Sequence, residues 1–166
     1  MAINTYKASA AAVFAAPAGT TPFFNIQGSA TKTVRVRAIT ISGPTLTAVA
    51  YLHVLLTKHS AAATGGTPVA LTAVPIDANG AAATASAVQV FTAAPTAGTE
   101  IGALDAVRIL GQATTAAAAG RPPERVELRF DANPIILRGA AQGLCLRFSA
   151  APGSAVTLSV AVEWEE

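Results

Sequence analysis

The run Val156-Thr157-Leu158-Ser159-Val160-Ala161-Val162-Glu163-Trp164 alternates residue by residue. Val156, Leu158, Val160, Val162 and Trp164 fall on one side, and Thr157, Ser159, Ala161 and Glu163 on the other. Successive side chains of a strand point to opposite faces, so this pattern predicts a half-buried β-strand rather than a helix. β-Branched residues on both faces agree. Such a strand leaves N–H and C=O groups that need neighbouring strands, and its Trp-ended apolar row needs a facing sheet.

The preceding third repeats the pattern. Val126, Leu128 and Phe130 alternate with Glu127, Arg129 and Asp131, and Leu144, Leu146 and Phe148 alternate with Cys145 and Arg147. Asn133-Pro134, Gly139 and Pro152-Gly153 supply turns, with Ile135 to Arg138 a short strand between the first two. Upstream, Thr21 to Gly28, with its aromatic pair and closing glycine, reads as a short strand ending in a turn. Thr31 to Ser42 is a long strand with a phase change. Val34, Val36 and Ala38 lie opposite Arg35 and Arg37, and then Ile39 and Ile41 carry the bulk on the arginine side. That predicts a β-bulge near Ala38, with Gly43-Pro44 ending the strand. Leu46 to Lys58 is a second long strand whose early part is apolar on both faces, as for a central strand covered on each side. Val69 to Ile76 reads as a strand limited by Pro75, Asp77-Ala78-Asn79-Gly80 as a turn, and Ala87 to Thr92 as a strand. Pro95 to Gly102 reads as a turn region and Ala106 to Leu110 as a short strand. Gln112 to Pro123, rich in Ala and Thr, is expected to be an excursion that is mobile or meets a partner.

Short strands at roughly 8–12-residue spacing, joined by turn residues, indicate an all-β protein. We expect a single β-sandwich of about nine antiparallel strands, of jelly-roll or Greek-key type. Residues 21–166 would form the sandwich and residues 1–20 an extended N-terminal arm. The Ala-rich lead suits a short helix by propensity, but a helix this short is marginal alone, and an extended arm or edge strand is preferred. A chain of 166 residues is one domain and buries about 70% of its unfolded surface without staples.

Function is narrowed by what the residues do not offer. The net charge of +2 and charged fraction of 12%, mixed in sign, give no pull toward nucleic acid. Alanine makes up roughly a quarter of the chain, which suits a subunit packed against neighbours, or simply reflects a GC-rich genome. No run approaches the ~20 apolar residues of a membrane span, and the first residues, with one Lys and no long apolar core, do not read as a secretory signal, so synthesis in the cytoplasm without export is expected. Cys145 is the single cysteine, between Leu144 and Leu146, and reads as a buried small hydrophobe. Arg35 and Arg37 offer a contact for an acidic partner, but alternate arginines on a strand more often form its wet face, which is the preferred reading. His53 and His59 share a face with Tyr51 and Leu55, but ~3.3 Å per residue puts the two histidines ~20 Å apart, too far to share an ion. Neither lies in a nucleophile elbow. The carboxylates Asp77, Glu100, Asp105, Glu124, Glu127 and Asp131 show no spacing that pairs them. Gly65-Gly66 lacks the lysine and helix of a phosphate loop, and Asp77 and Asn79 are too few for a Ca²⁺ loop. No catalytic, cofactor-binding or metal residue is assigned, no cofactor is expected, and the chain is read as non-enzymatic.

Four segments carry a resemblance: FFNIQGSATKTVRVRAITISG, the stretch from Leu46 to Thr99, NPIILRGAAQGLCLRFS and LSVAVEWEE. Within them the most telling parts are Lys58-His59-Ser60 to Gly65-Gly66-Thr67, Ala73-Val74-Pro75-Ile76-Asp77, Ile136-Leu137-Arg138-Gly139 and Val162-Glu163-Trp164-Glu165-Glu166. Together, over most of the chain from Phe23 onward, they resemble a group of small proteins encoded among tailed-bacteriophage structural genes. The resemblance implies a virion-associated β-sandwich similar to capsid cement or decoration proteins. Expected partners are the major capsid protein or other virion proteins, with self-association as a dimer or trimer, no membrane and no direct nucleic acid. The expected location is the virion, assembled in the host cytoplasm. On this reading the N-terminal arm reaches a neighbouring sheet edge, and its removal leaves the sandwich folded. The alternative is a tail, collar or fibre component that binds host-surface carbohydrate. A free carbohydrate-binding module is disfavoured by the lack of aromatic residues in loops.

Overall fold

A computed structural model describes residues 3–14, 19, 21–114 and 124–166. Among these residues all regular structure is β, in twelve strands. Five are long: β1 (Thr5–Phe14), β3 (Thr33–Leu46), β4 (Ala50–His59), β8 (Glu100–Ala113) and β12 (Val156–Glu165), with β8 as long as β3. The others are β2 (Pro22–Gln27), β5 (Pro68–Ala70), β6 (Val74–Pro75), β7 (Val88–Phe91), β9 (Arg125–Arg129), β10 (Ile135–Arg138) and β11 (Gly143–Phe148).

The pairing is that of a ribbon rolled on itself. β1 pairs β12, β2 pairs β11, β3 pairs β10 and β9, and β4 pairs β8, all antiparallel. Rolling the ribbon brings β12 onto β3 and β11 onto β4. One layer then reads β6-β1-β12-β3, with β9 and β10 along the far edge of β3, and the other reads β5-β7-β2-β11-β4-β8. This is a jelly-roll sandwich, as the strand spacing predicts. The roll closes at one corner with a short parallel pairing, Thr45 and Leu46 of β3 beside Gln112 and Ala113 of β8. The strands therefore number twelve rather than about nine, and one pairing is parallel. The additions are β1 and the division of the 69–76 segment into the brief edge strands β5 and β6.

The core is where the alternating rows meet. Val156, Leu158, Val160, Val162 and Trp164 are buried, against Phe24, Ile26, Leu52, Val54, Leu56, Leu144 and Leu146 among others. The Trp164 ring stacks on Tyr6 with centroids 5.5 Å apart, and both are fully buried. The phase change in β3 is a bulge: Glu163 faces Ala38 and Trp164 faces Val36, which leaves Arg37 without an opposite residue. Val34, Val36, Ile39 and Ile41 can then all enter the core. Gly43-Pro44 does not end the strand. It forms a second bulge, opposite Leu158, that Gly43 makes possible by adopting a φ of 60°, and β3 runs on to Leu46.

Other differences have the same non-local origin. Residues 5–14 are extended, but as a strand laddered to β12 along its whole length within the same chain. The boundary at residue 20 therefore does not divide a free arm from a sandwich. The segment Val69 to Ile76 is split, with β5 joining one layer and β6 the other. The Pro95–Gly102 turn and the Ala106–Leu110 strand merge, because pairing with β4 extends β8 back to Glu100. The Asp77–Gly80 turn forms as expected, with Gly80 N–H on the Asp77 carbonyl at 2.8 Å. Most of the Gln112–Pro123 excursion lies outside the described residues.

Candidate interaction surfaces and a buried polar cluster

Ion pairs cover the outer face of one layer. The outer face of the β1-β12-β3-β9 layer carries the residues that alternate with the core rows, and they neutralise one another. Lys7 meets Glu163 at 2.9 Å, and Arg129 meets Glu127 at 2.9 Å and Asp131 at 2.8 Å. Arg37 lies between Glu165 and Asp131 at 3.7 and 3.9 Å. The carboxylate of Asp131 is held below its usual range by the Arg129 hydrogen bond. Arg37 thus belongs to a wet face, as read from the sequence, and pairs like these contribute little to stability.

The β4–β8 side is different. Val49, Tyr51, Ile101 and Leu104 are exposed there, strung along the two paired strands. The Arg108 guanidinium lies 3.5 Å from the centroid of the Tyr51 ring. Leu104 and Ile101 sit at two register shifts of β8 against β4. The backbone along β8 is not bare. Asp105 accepts the N–H of Ala106 at 2.7 Å, and Glu124 accepts that of Leu110. Carboxylates and bulges on an edge discourage another strand from pairing, so any partner here must be held by side chains. A concavity of ~480 Å³ runs beside β1 and is lined by Ser9, Ala10, Val69, Leu71 and Val74.

One gathering of chemistry-bearing side chains places a hydroxyl, an imidazole and a thiol together, and it is closed. Asn25, Cys145 and Thr57 are cross-strand neighbours on β2, β11 and β4, and alternate with core residues, so they share the outer face of that layer. His59 follows two residues on from Thr57. All four are buried, because the loops 60–67 and 92–99 lie over this end of the sheet. Thr64 and Thr96 exchange both backbone hydrogen bonds, at 3.0 and 2.8 Å, and Ser60 N–H bonds the Thr99 carbonyl at 2.9 Å. Thr57 Oγ1 and His59 Nε2 are 2.9 Å apart, which is nucleophile–base spacing. Yet the pair meets no opening, and burial pushes the Cys145 thiol up to about 12. The arrangement as it stands is packing rather than a reactive site.

The sequence places His53 and His59 on one face, and the structure separates their fates. His53 is exposed, while His59 is covered by loops. The early part of β4, expected to be covered on both sides, is the open part. Asn25 and Thr57 were not among the residues singled out from the sequence. The signal available was Thr57-Lys58-His59, two polar side chains at strand spacing beside an apolar run. Gly98 locks the cover: a Cβ there would overlap the Ala61 carbonyl oxygen. We expect Gly98→Ala to destabilise the protein by about 1–3 kcal/mol, the usual cost of overpacking, in urea unfolding. An unchanged midpoint would show that the two loops do not close on each other at Gly98 and Ala61.

Among the described residues no three His, Cys, Asp or Glu side chains form a metal set, and no helix is long and apolar enough to cross a membrane. No protein-family model and no curated protein matches the chain. A solved structure of infectious bursal disease virus, Gx strain, is similar at 16% identity over 99% of this chain and 40% of that one, with a TM-score of 0.19. The chain spans less than half of that protein, and a likeness at that score carries no argument.

Proposed function

We propose that this chain is a non-enzymatic virion structural protein, a cement or decoration subunit that stabilises a phage head through protein–protein contacts. The observation that carries the reading is the partition of the surface. One face is occupied by self-neutralised ion pairs, and the β4–β8 side offers exposed apolar side chains on a backbone guarded against strand pairing. A subunit that sits between others needs such a side-chain contact, and many weak contacts on one lattice act together. Jelly rolls serve in viral shells and in lectins alike, so the fold is compatible with this role without selecting it.

The second reading, a tail, collar or fibre component binding host-surface sugar, draws on the exposed ring of Tyr51, although Arg108 already lies over it. Copy number per particle separates the two, because a shell protein matches the shell subunits in number and a tail part does not. The contact itself is tested by Ile101→Glu with Leu104→Glu. Both positions are exposed, so the fold should survive. Each buried apolar side chain contributes ~1.5–3 kcal/mol, so head binding or self-association should weaken at least about tenfold in sedimentation and capsid-binding assays. Undiminished binding would remove the β4–β8 side as the contact.

A further inference from the structure

We propose that the loops 60–67 and 92–99 form a proton-released cover: uptake of a proton by His59 lifts them and exposes Cys145 while both sheets stay folded.

The geometry starts at the ring. Thr57 Oγ1 has one hydrogen and donates it to the Cys145 carbonyl at 3.4 Å. Its oxygen is then free to accept from His59 Nε2 at 2.9 Å, the arrangement in which the neutral ring carries its proton on Nε2. Nδ1 is left with a lone pair, buried, with no hydrogen-bond partner. A second proton would create a buried cation; the Gly98 backbone is an acceptor for it but does not meet Nδ1 in bonding geometry, and the cost of burial outweighs that help unless the site opens to water.

No free counter-charge waits nearby. Glu100 lies opposite His59 across β4 and β8, but both its oxygens are taken by Arg147 of β11, at 3.1 and 3.3 Å. Lys58, next along β4, turns to the Ile136 carbonyl at 3.2 Å. Cys145 is a neutral thiol, and neither loop contains a charged residue. Burial holds the imidazole below its ordinary value of 6.5, Glu100 and the Gly98 backbone oppose this, and Arg147 adds to it.

The cover is also the part least able to resist. It consists of Ser, Ala, Thr, Gly and Pro, so it buries little apolar area. The hydrogen bonds that tie it down run between Thr64 and Thr96, Ser60 and Thr99, and Thr92 and Thr67, within the cover or at its strand ends. Segments of this kind open at a small fraction of the global unfolding free energy. The open form binds the proton more tightly. Closure is therefore complete above about pH 6.5 and is lost as pH falls toward the depressed value, by up to about tenfold per unit.

Cys145 reports the event, being the single thiol of the chain. The full-length protein is treated with 4,4′-dithiodipyridine, a disulfide reagent that reacts with thiols in acid, at about pH 7.5 and about pH 5, the range in which histidine titrates. Rates are divided by those of the urea-unfolded chain. The normalised rate should rise about tenfold or more at the lower pH, with the far-ultraviolet spectrum and Trp164 fluorescence unchanged. In His59→Gln the ratio should be flat. Should that variant not fold, the unaltered protein still decides: exchange of the Thr64 and Thr96 amides must accelerate with the same midpoint as the His59 ring titration followed by NMR. A normalised rate independent of pH, a rise that persists in His59→Gln, or amide exchange that ignores the ring titration would each overturn the proposal.

Discussion

Removing residues 1–14 is expected to abolish cooperative folding. β1 supplies the whole partner edge of β12 on one side, from Thr5 against Glu165 to Phe14 against Val156. It also places the Tyr6 ring on Trp164, and Tyr6 donates its hydroxyl to the Ala81 carbonyl at 2.8 Å. Deleting one buried large aromatic side chain costs about 3–5 kcal/mol. Here that loss is joined by an exposed β12 edge and a vacant end of the core, against a total stability of about 5–15 kcal/mol. Circular dichroism and urea titration of the truncated chain test this. A truncated protein with a sharp transition near the full-length midpoint would restore the free-arm description. Tyr6→Ala gives the graded version, with an expected loss of about 3–5 kcal/mol.

Glu166→Ala is expected to cost about 3 kcal/mol, an unusual effect for a charged residue at the end of a strand, because four donors, the buried Trp164 indole among them, would lose their acceptor. The Glu166 carboxylate accepts the Thr84 amide at 2.7 Å, the Thr84 hydroxyl at 2.6 Å, the Ala85 amide at 2.8 Å and the Trp164 indole N–H at 3.0 Å. Lys32 Nζ stands 4.0 Å away. One carboxylate thereby fastens the 84–85 segment over the Tyr6–Trp164 end of the core. Burial by itself would push its pKa up, but the hydrogen bonds from Thr84, Trp164 and Ala85 outweigh burial and hold it below 4.5. The sign follows. The unfolded chain binds this proton more readily, so the stabilisation is present above about pH 4.5 and is lost as pH falls through the depressed value. Urea midpoints at about pH 7 and about pH 3 should converge between the wild type and Glu166→Gln, whose amide keeps the size but turns a donor toward donors. Parallel midpoints at both pH values would show that the carboxylate is not the fastening. This window lies below that of His59, so acid opening of the cover and release of the 84–85 segment are separable events.

Both effects were beyond what local pattern could show. Tyr6 and Ala8 alternate with Lys7 and Ser9 in an Ala-rich lead, a weak signal that became a strand because β12 needed a second partner. Glu166 stands beside Glu165, and nothing in their order says that one meets an arginine and the other four donors. Glu166 bonds through its backbone to Asn4 in both directions, at 3.2 and 3.0 Å, which fixes its side chain over residues more than eighty positions away in the chain.

What the amino-acid order determined is the side of each strand that faces inward. The Val156–Trp164 row, the alternation around Leu128 and Leu146, and the slip at Ala38 all appear in the structure as read, since a period of two is a local property of the extended backbone. What only the tertiary structure decided is which outward faces are covered and which edges are capped. His53 and His59 have the same parity, yet one is in water and the other under two loops. Alternation carries no information about a loop that arrives from forty residues downstream, and whether an N–H on β8 meets a neighbour, a carboxylate or solvent is settled by long-range closure of the roll.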